Sequence, residues 1–190
     1  LAALFHDIGK LETETKVDGE VHFYNHHQAG ANCITSILKR LSLSRKQISY
    51  IKTLIRYHMR PLFLYNADDL TIKGKYRFFR AVDDLVGDVL VLSAADMLAT
   101  SVFNGRLTEI ADSLNFLQQL LVEAKELAQR TKENLIDGKK VMEELKLSEG
   151  KQVGRVLEAV KQAQAEGLIS NQQEAIKYII SKFGSQKSTT

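Results

Sequence analysis

The sequence is poor in several things, and each shortage removes a class of explanation. It has one cysteine, Cys33, so no internal disulfide can form, and a reducing cytoplasm is the expected compartment. It has one proline, Pro61, and no tryptophan. Breaks in helical runs must therefore come mostly from glycine and turn residues. Read along the chain, no apolar stretch approaches the length that crosses a bilayer, and no cationic start leads into an apolar signal region, so no membrane partner is expected. The chain does not open with methionine. It begins inside an apolar run, so the expectation is a start within a helix of a longer protein.

What is present is an ordinary globular composition. Of 190 residues, 44% are hydrophobic and 26% charged, enough for one large domain or one domain with a small appendage. The net charge of +3 is unevenly placed. Residues 1–129 hold fifteen basic and fifteen acidic side chains, and residues 130–190 hold eleven and eight, so all the excess is in the tail. That distribution permits contact with nucleic acid.

Hydrophobic spacing near 3.6 dominates, which predicts an all-α fold. Leu1 to Ile8 reads as the end of a helix stopped by Gly9. Residues 11–24 are polar and hold Asp18-Gly19, the signal of a loop or small hairpin. Asn25 is expected to cap a helix from His26 to about Leu41, with Ala29, Cys33, Ile34, Ile37 and Leu38 facing inward. Ser44 caps the next helix, which carries Ile48, Ile51, Leu54 and Ile55 and ends near His58, because Pro61 disfavours helix at Arg60. A loop over 66–74 precedes helices at Lys75–Val82 and Asp88–Ser101. A long helix from Thr108 to about Asn134 follows. After the turn signal Asp137-Gly138, three short helices are separated by Gly150 and Gly167. Residues 185–190 are expected to be disordered. The expected organisation is a helical bundle over 1–134 and a small helical tail over 135–184.

Five side chains carry the chemistry: His6, Asp7, His26, His58 and Asp96. Each lies on or beside the apolar face of its own helix. Burying a lone carboxylate costs several kcal/mol, roughly, so buried acids need a compensating charge. Three imidazoles and two carboxylates placed this way point to a divalent cation, with zinc, iron, nickel, manganese and magnesium all compatible. Taken singly, each His is more simply a cap or a hydrogen-bonded core residue. The joint order His-Asp, His, His, Asp along a helical chain is what lifts the set. Other residues have plain readings: His22 faces solvent and Cys33 is core. Gly150, Gly154 and Arg155 look like a phosphate-binding helix entry, a weak pattern for which close helix packing is the simpler use. Asp68, Asp69, Asp83, Asp84 and Asp88 are caps and solvated charges.

The stretches LAALFHDIGK, FYNHHQAGA, LIRYHM and LSAADML together resemble the HD-domain metal-dependent phosphohydrolases. The resemblance is closer to one branch, the C-terminal half of the bacterial CCA-adding enzyme and poly(A) polymerase family. That branch reads Phe-x-Gly-His-Glu-x-x-Gly-Ala at the second stretch; here Asn25 replaces the Gly and His27 the Glu. YRFFRAV and the run from Leu135 to Ile176 look like the same branch.

The resemblance implies an HD-type bundle with a helical tail, truncated at its start. A metal-ligand His would lie one helix upstream, and so would the nucleotidyltransferase head. It implies that His6, Asp7 and Asp96 are primary metal ligands, that His26 and His58 line the site or hold a second metal, and that Lys10 contacts phosphate. Asp7 and Asp96 would orient the attacking water. Arg60 is a further phosphate candidate from its nearness to His58, and His27 a rim residue. Lys139, Lys140, Lys151 and Arg155 are candidate RNA contacts, with tRNA the expected RNA and nucleotide phosphoesters the alternative substrate. Two rival functions remain open: a body that holds RNA around an idle metal site, and a free-standing HD nucleotidase.

Overall fold

The computed structural model describes residues 1–68, 70–103 and 110–184. The disorder expected at 185–190, the start of the long helix at Thr108, and Asp69 lie outside the described residues.

Among the described residues the regular elements are helices apart from one two-stranded hairpin, a mostly helical fold as the spacing predicts. α1 spans Ala2–Phe5 and α2 spans Lys10–Thr13. Strands β1 (Glu14–Val17) and β2 (Glu20–Phe23) pair antiparallel, with Val17 opposite Glu20. Asp18 and Gly19 both take positive φ, 51° and 86°, as a tight two-residue hairpin turn requires. α3 (His26–Arg40) and α4 (Arg45–Tyr57) follow. Ser44 closes a full capping box with Gln47, which fixes where α4 starts. α5 is Arg60–Tyr65 and α6 is Ile72–Val82. A 3-10 turn at Asp83–Leu85 leads into α7 (Val86–Phe103), and α8 runs Ile110–Arg130. The tail holds α9 (Gly138–Leu145), α10 (Lys151–Ala165) and α11 (Gln172–Phe183).

Four expectations are corrected. The first helical run does not continue to Ile8: α1 ends at Phe5, and residues 6–9 form tight turns closed by bonds from Ile8 N to Phe5 O and Lys10 N to Asp7 O. Asn25 occupies the N-cap of α3 but sits in the left-handed region at φ 59°, with no side-chain cap bond. α4 ends at Tyr57 with His58 as its C-cap, as expected, but helix is not barred at Arg60: Arg60 opens α5, and Pro61 stands in its first turn, where a missing N–H costs nothing. The loop over 66–74 is shorter, because α6 begins at Ile72.

A fifth correction concerns length and apolarity. The helical run Ile72–Val102 contains one stretch long and apolar enough to span a bilayer. The sequence reading missed it because Asp83, Asp84, Asp88 and Asp96 punctuate the run. A single such helix is weak evidence of a membrane, since core helices pass the same test. Here Val82, Val89, Leu90, Leu92 and Ser93 are buried, while Val91, Leu98 and Val102 are exposed.

The residues group into two units, 1–70 with 77–122 and 71–76 with 123–190. In the first, Ala31, Ile34 and Leu38 of α3 pack on Ile48, Ile51 and Ile55 of α4, and Phe5 and Ile8 close the end. In the second, Val141, Val153, Val156, Val160, Ile169 and Ile179 form a separate core. Asp137 caps α9 by accepting from Lys140 N, and the buried Gln164 amide donates to the Arg130 and Glu133 carbonyls. Gly150 and Gly154 do not serve close packing: a Cβ at either would meet nothing within 4 Å.

Candidate metal centre

The His6-Asp7 pair lies in the turn between α1 and α2, and that turn is pinned by Gly9. A Cβ on Gly9 would fall 2.0 Å from the His26 carbonyl oxygen and 2.4 Å from Gly30 N. The backbone of the turn thus rests directly on the first turn of α3. This contact sets His6 and Asp7 beside His26, the first residue of α3. His58 arrives from the C-cap of α4 and Asp96 from within α7. The buried Ser93 hydroxyl of α7 donates to the His58 carbonyl oxygen, which ties α7 to the end of α4 one turn before Asp96.

The three imidazoles share one local arrangement. Nδ1 of His6 bonds the Ala3 carbonyl at 2.8 Å, Nδ1 of His26 the Phe23 carbonyl at 2.9 Å, and Nδ1 of His58 the Ile55 carbonyl at 2.7 Å. A carbonyl only accepts, so each Nδ1 carries the proton. In the neutral ring each Nε2 then presents its lone pair. All three Nε2 atoms are buried with no hydrogen-bond partner among the described residues. The carboxylates stand close by, outside hydrogen-bond geometry. Asp7 Oδ1 is 3.2 Å from His26 Nε2, Asp7 Oδ2 is 3.4 Å from His6 Nε2, and Asp96 Oδ1 is 3.3 Å from His6 Nε2. The His6 and His58 rings meet edge-on at 5.1 Å, and the His26 and His58 rings lie 5.4 Å apart.

The ligand atoms form two overlapping groups, His6–His58–Asp96 and Asp7–His26–His58, each within 4.8 Å. His58 belongs to both. All five residues singled out from the sequence are therefore in one place. Their electrostatics are coupled. The Asp7 and then the Asp96 carboxylate push the His6 imidazole up to about 10, against burial. Burial drives His58 the other way, to about 4. Burial would raise Asp7, but His6 and Lys10 outweigh it and hold the carboxyl well below its usual range. The neighbouring His6 imidazole also lowers Asp96.

Other predicted residues fall in different places. Lys10 belongs to the cluster: its Nζ donates to Asp7 Oδ2 at 2.6 Å and lies 5.5 Å from the centre of the Phe23 ring. Arg60 instead lines a separate cavity with Arg56 and Arg77. His27 reaches that cavity too, so it borders the site only through its ring contact with His26 at 5.7 Å. Cys33 is half-buried and donates to the Gly30 carbonyl. In the tail, Lys139, Lys151 and Arg155 are exposed, while Lys140 is engaged by Glu143 and Glu144, each at 3.0 Å. Sequence reasoning missed Ser93; its only signal is the spacing of three from Asp96 on an apolar helix.

Comparison with known proteins adds an independent line. Residues 21–180 match the family described as tRNA nucleotidyltransferase domain 2. That span contains His26, His58 and Asp96 and leaves His6 and Asp7 outside it. The chain is 36% identical over 183 residues to the CC-adding tRNA nucleotidyltransferase of Thermus thermophilus, covering 95% of this chain and 39% of that protein. It is 32% identical over 181 residues to the A-adding tRNA nucleotidyltransferase of Deinococcus radiodurans, covering 94% of this chain and 40% of that one. The chain thus spans about two fifths of the length of these curated relatives.

Proposed function

From the premise that this chain belongs to the tRNA nucleotidyltransferase domain 2 family, we infer that it is the HD-type portion of a tRNA nucleotidyltransferase and carries a divalent-metal-dependent phosphohydrolase site. One observation carries the metal reading: three buried imidazole Nε2 atoms, each without a partner among the described residues, face two carboxylates. Buried polar atoms in native proteins are nearly always satisfied, so three converging orphans need a shared partner. Imidazole with carboxylate suits zinc, iron, nickel, manganese or magnesium.

His6, Asp7, His26, His58 and Asp96 would hold the ion. When bound, a divalent ion polarises a phosphoryl oxygen and acidifies a water to a pKa of about 7 in favourable cases. The chain supplies the rest. Asp7 and Asp96 orient the attacking water. Lys10, already held against Asp7, offsets phosphate charge. The leaving alkoxide takes up its proton from solvent. The substrate class is a phosphomonoester or phosphodiester of a nucleotide or RNA end, and the working compartment is the cytoplasm.

In the whole protein, nucleotidyl transfer to tRNA would be carried by residues outside this chain. Relatives named for adding different nucleotides match this region at 36% and 32% identity. We therefore assign the choice of nucleotide elsewhere as well. Lys139, Lys151 and Arg155 are the tail's free candidates for the RNA backbone, with Lys140 weaker because Glu143 and Glu144 engage it.

A rival reading, an RNA-holding body with an idle site, is favoured by the Lys10–Asp7 ion pair, which already occupies one ligand oxygen. Hydrolysis by the full-length protein separates the two. With p-nitrophenyl phosphate and bis-p-nitrophenyl phosphate, His6→Ala and Asp7→Ala should each lower metal-dependent hydrolysis by about 100-fold or more, as loss of a ligand at a metal-activated site does. Nucleotidyl transfer should persist. Equal hydrolysis in parent and variants would leave the idle-site reading standing.

A further inference from the structure

A cavity in the first unit is lined by His27, the neighbour of the cluster residue His26, and by none of the five cluster residues. Its volume is about 480 Å³, inside the range of roughly 300–1,000 Å³ that small-ligand sites occupy. Three guanidinium groups line it: Arg56 near the end of α4, Arg60 at the start of α5 and Arg77 from α6. Among the described residues, no aspartate or glutamate lines it. Arg56 is steadied by a bond to the Asn32 side-chain oxygen at 3.2 Å. Among the described residues neither Arg60 nor Arg77 has a carboxylate partner.

Three like charges around one open cavity repel one another, and an anion relieves that cost. Guanidinium matches phosphate through paired N–H donors, so phosphate is the fitting anion. The remaining wall is not what a bare phosphate needs. Phe63 is 45% exposed, an aromatic face held in place by the His27 ring 5.8 Å away. The side chains of Asn25 and Gln28 offer amide donors and acceptors beside it. A cationic groove with an exposed ring and adaptable amides is the chemistry that binds a nucleotide through its backbone and its base.

We propose that the cavity lined by Arg56, Arg60, Arg77, His27 and Phe63 binds a nucleotide unit, phosphate on the arginines and base against Phe63, separately from the metal centre. The unit is part of a single-stranded RNA or a free nucleotide. The proposal rests on the charges and rings around this cavity and not on hydrolysis at the metal centre.

The test is binding of a fluorescently labelled single-stranded RNA oligonucleotide to the 190-residue chain, followed by anisotropy across a salt series. Arg60 and Arg77 are exposed, so the double variant Arg60→Ala/Arg77→Ala should keep the parent's circular dichroism. It should bind about tenfold more weakly or worse. Its log–log salt slope should be shallower by about 1.4, at roughly 0.7 for each single-strand phosphate that is no longer neutralised. Phe63→Ala should weaken binding about tenfold with the slope unchanged, because stacking releases no counterions. AMP as competitor separates the sources: displacement of the RNA assigns the cavity to free nucleotides, and no displacement assigns it to the strand. A control pair, Arg40→Ala/Lys52→Ala, removes equal charge at residues that do not line the cavity. If that pair weakens binding as much as the cavity variant, or if the cavity variant binds like the parent, the proposal is overturned.

Discussion

Gly9→Ala should destabilise the first unit by about 3 kcal/mol, the upper end of what overpacking costs, and should scatter the metal centre. The reason is not conformational, since Gly9 has an ordinary helical φ of −68°. It is contact. The new methyl would fall 2.0 Å from the His26 carbonyl oxygen and 2.4 Å from Gly30 N. Both atoms are backbone, so no side chain can swing away. The turn must lift off α3, and it carries His6 and Asp7 with it while His26 stays on α3. Gly30 faces the same contact from the other side, with a Cβ there only 3.2 Å from Gly9 N. Gly154→Ala is the matched control: a Cβ there meets nothing within 4 Å, and removing a helical glycine should stabilise by about 0.8 kcal/mol. Urea unfolding of both variants against the parent reads the difference. A Gly9→Ala chain as stable as the parent would mean that the turn does not rest on α3 as described.

Acid should unfold the chain before its carboxylates titrate, and His58 should be the main cause. Its folded-state pKa of about 4 lies below the ordinary 6.5 because the ring is buried. Above pH 6.5 the ring is neutral in both states and costs nothing. As pH falls from 6.5 to 4 the unfolded chain takes up a proton that the folded chain refuses. Stability therefore drops by about 3 kcal/mol across that window, at roughly 1.36 kcal/mol per unit of pKa difference. Burial lowers His27 as well, so it pushes the same way. His6 does not oppose this. Its pKa is raised to about 10, so its stabilising contribution is complete below pH 6.5 and is lost only as pH rises toward 10. Asp7 and Asp96, both lowered, lose their contribution only below the ordinary carboxylate range. Denaturant midpoints at successive pH values, taken in chelator, test the assignment. His58→Gln should flatten the drop between pH 6.5 and 4. An equally steep drop in the variant would move the cause elsewhere.

The same burial that makes His58 acid-sensitive keeps its Nε2 lone pair free at neutral pH, which is the form that binds a metal. Stability and the proposed metal binding would therefore draw on one feature at the end of α4. The helix end is closed by Ser93, and the ring is sealed with 1% exposure.

Much of this was legible in the sequence, and the failures share a cause. α3, α4 and the tail helices carry strong periodic patterns, and the structure places them where the spacing does. The five cluster residues were legible because burial of charge on an apolar face is a local, readable conflict. α5 was not, because Pro61 reads as a stop when it stands next to a helix end and as a start when it stands in a first turn. The break between α1 and α2 was hidden because only the approach of α3 explains it. The arginine cavity was invisible for the same reason: Arg56, Arg60 and Arg77 come from three helices, and no spacing links the third to the others.

The most direct test of the metal centre is elemental analysis of the chain purified without chelator and then incubated with manganese, nickel or zinc, beside the His6→Ala/Asp7→Ala double variant. The arrangement of the His6, His26 and His58 Nε2 atoms around Asp7 and Asp96 predicts stoichiometric divalent metal in the parent chain and none in the variant. No metal in either protein, or equal metal in both, would contradict it.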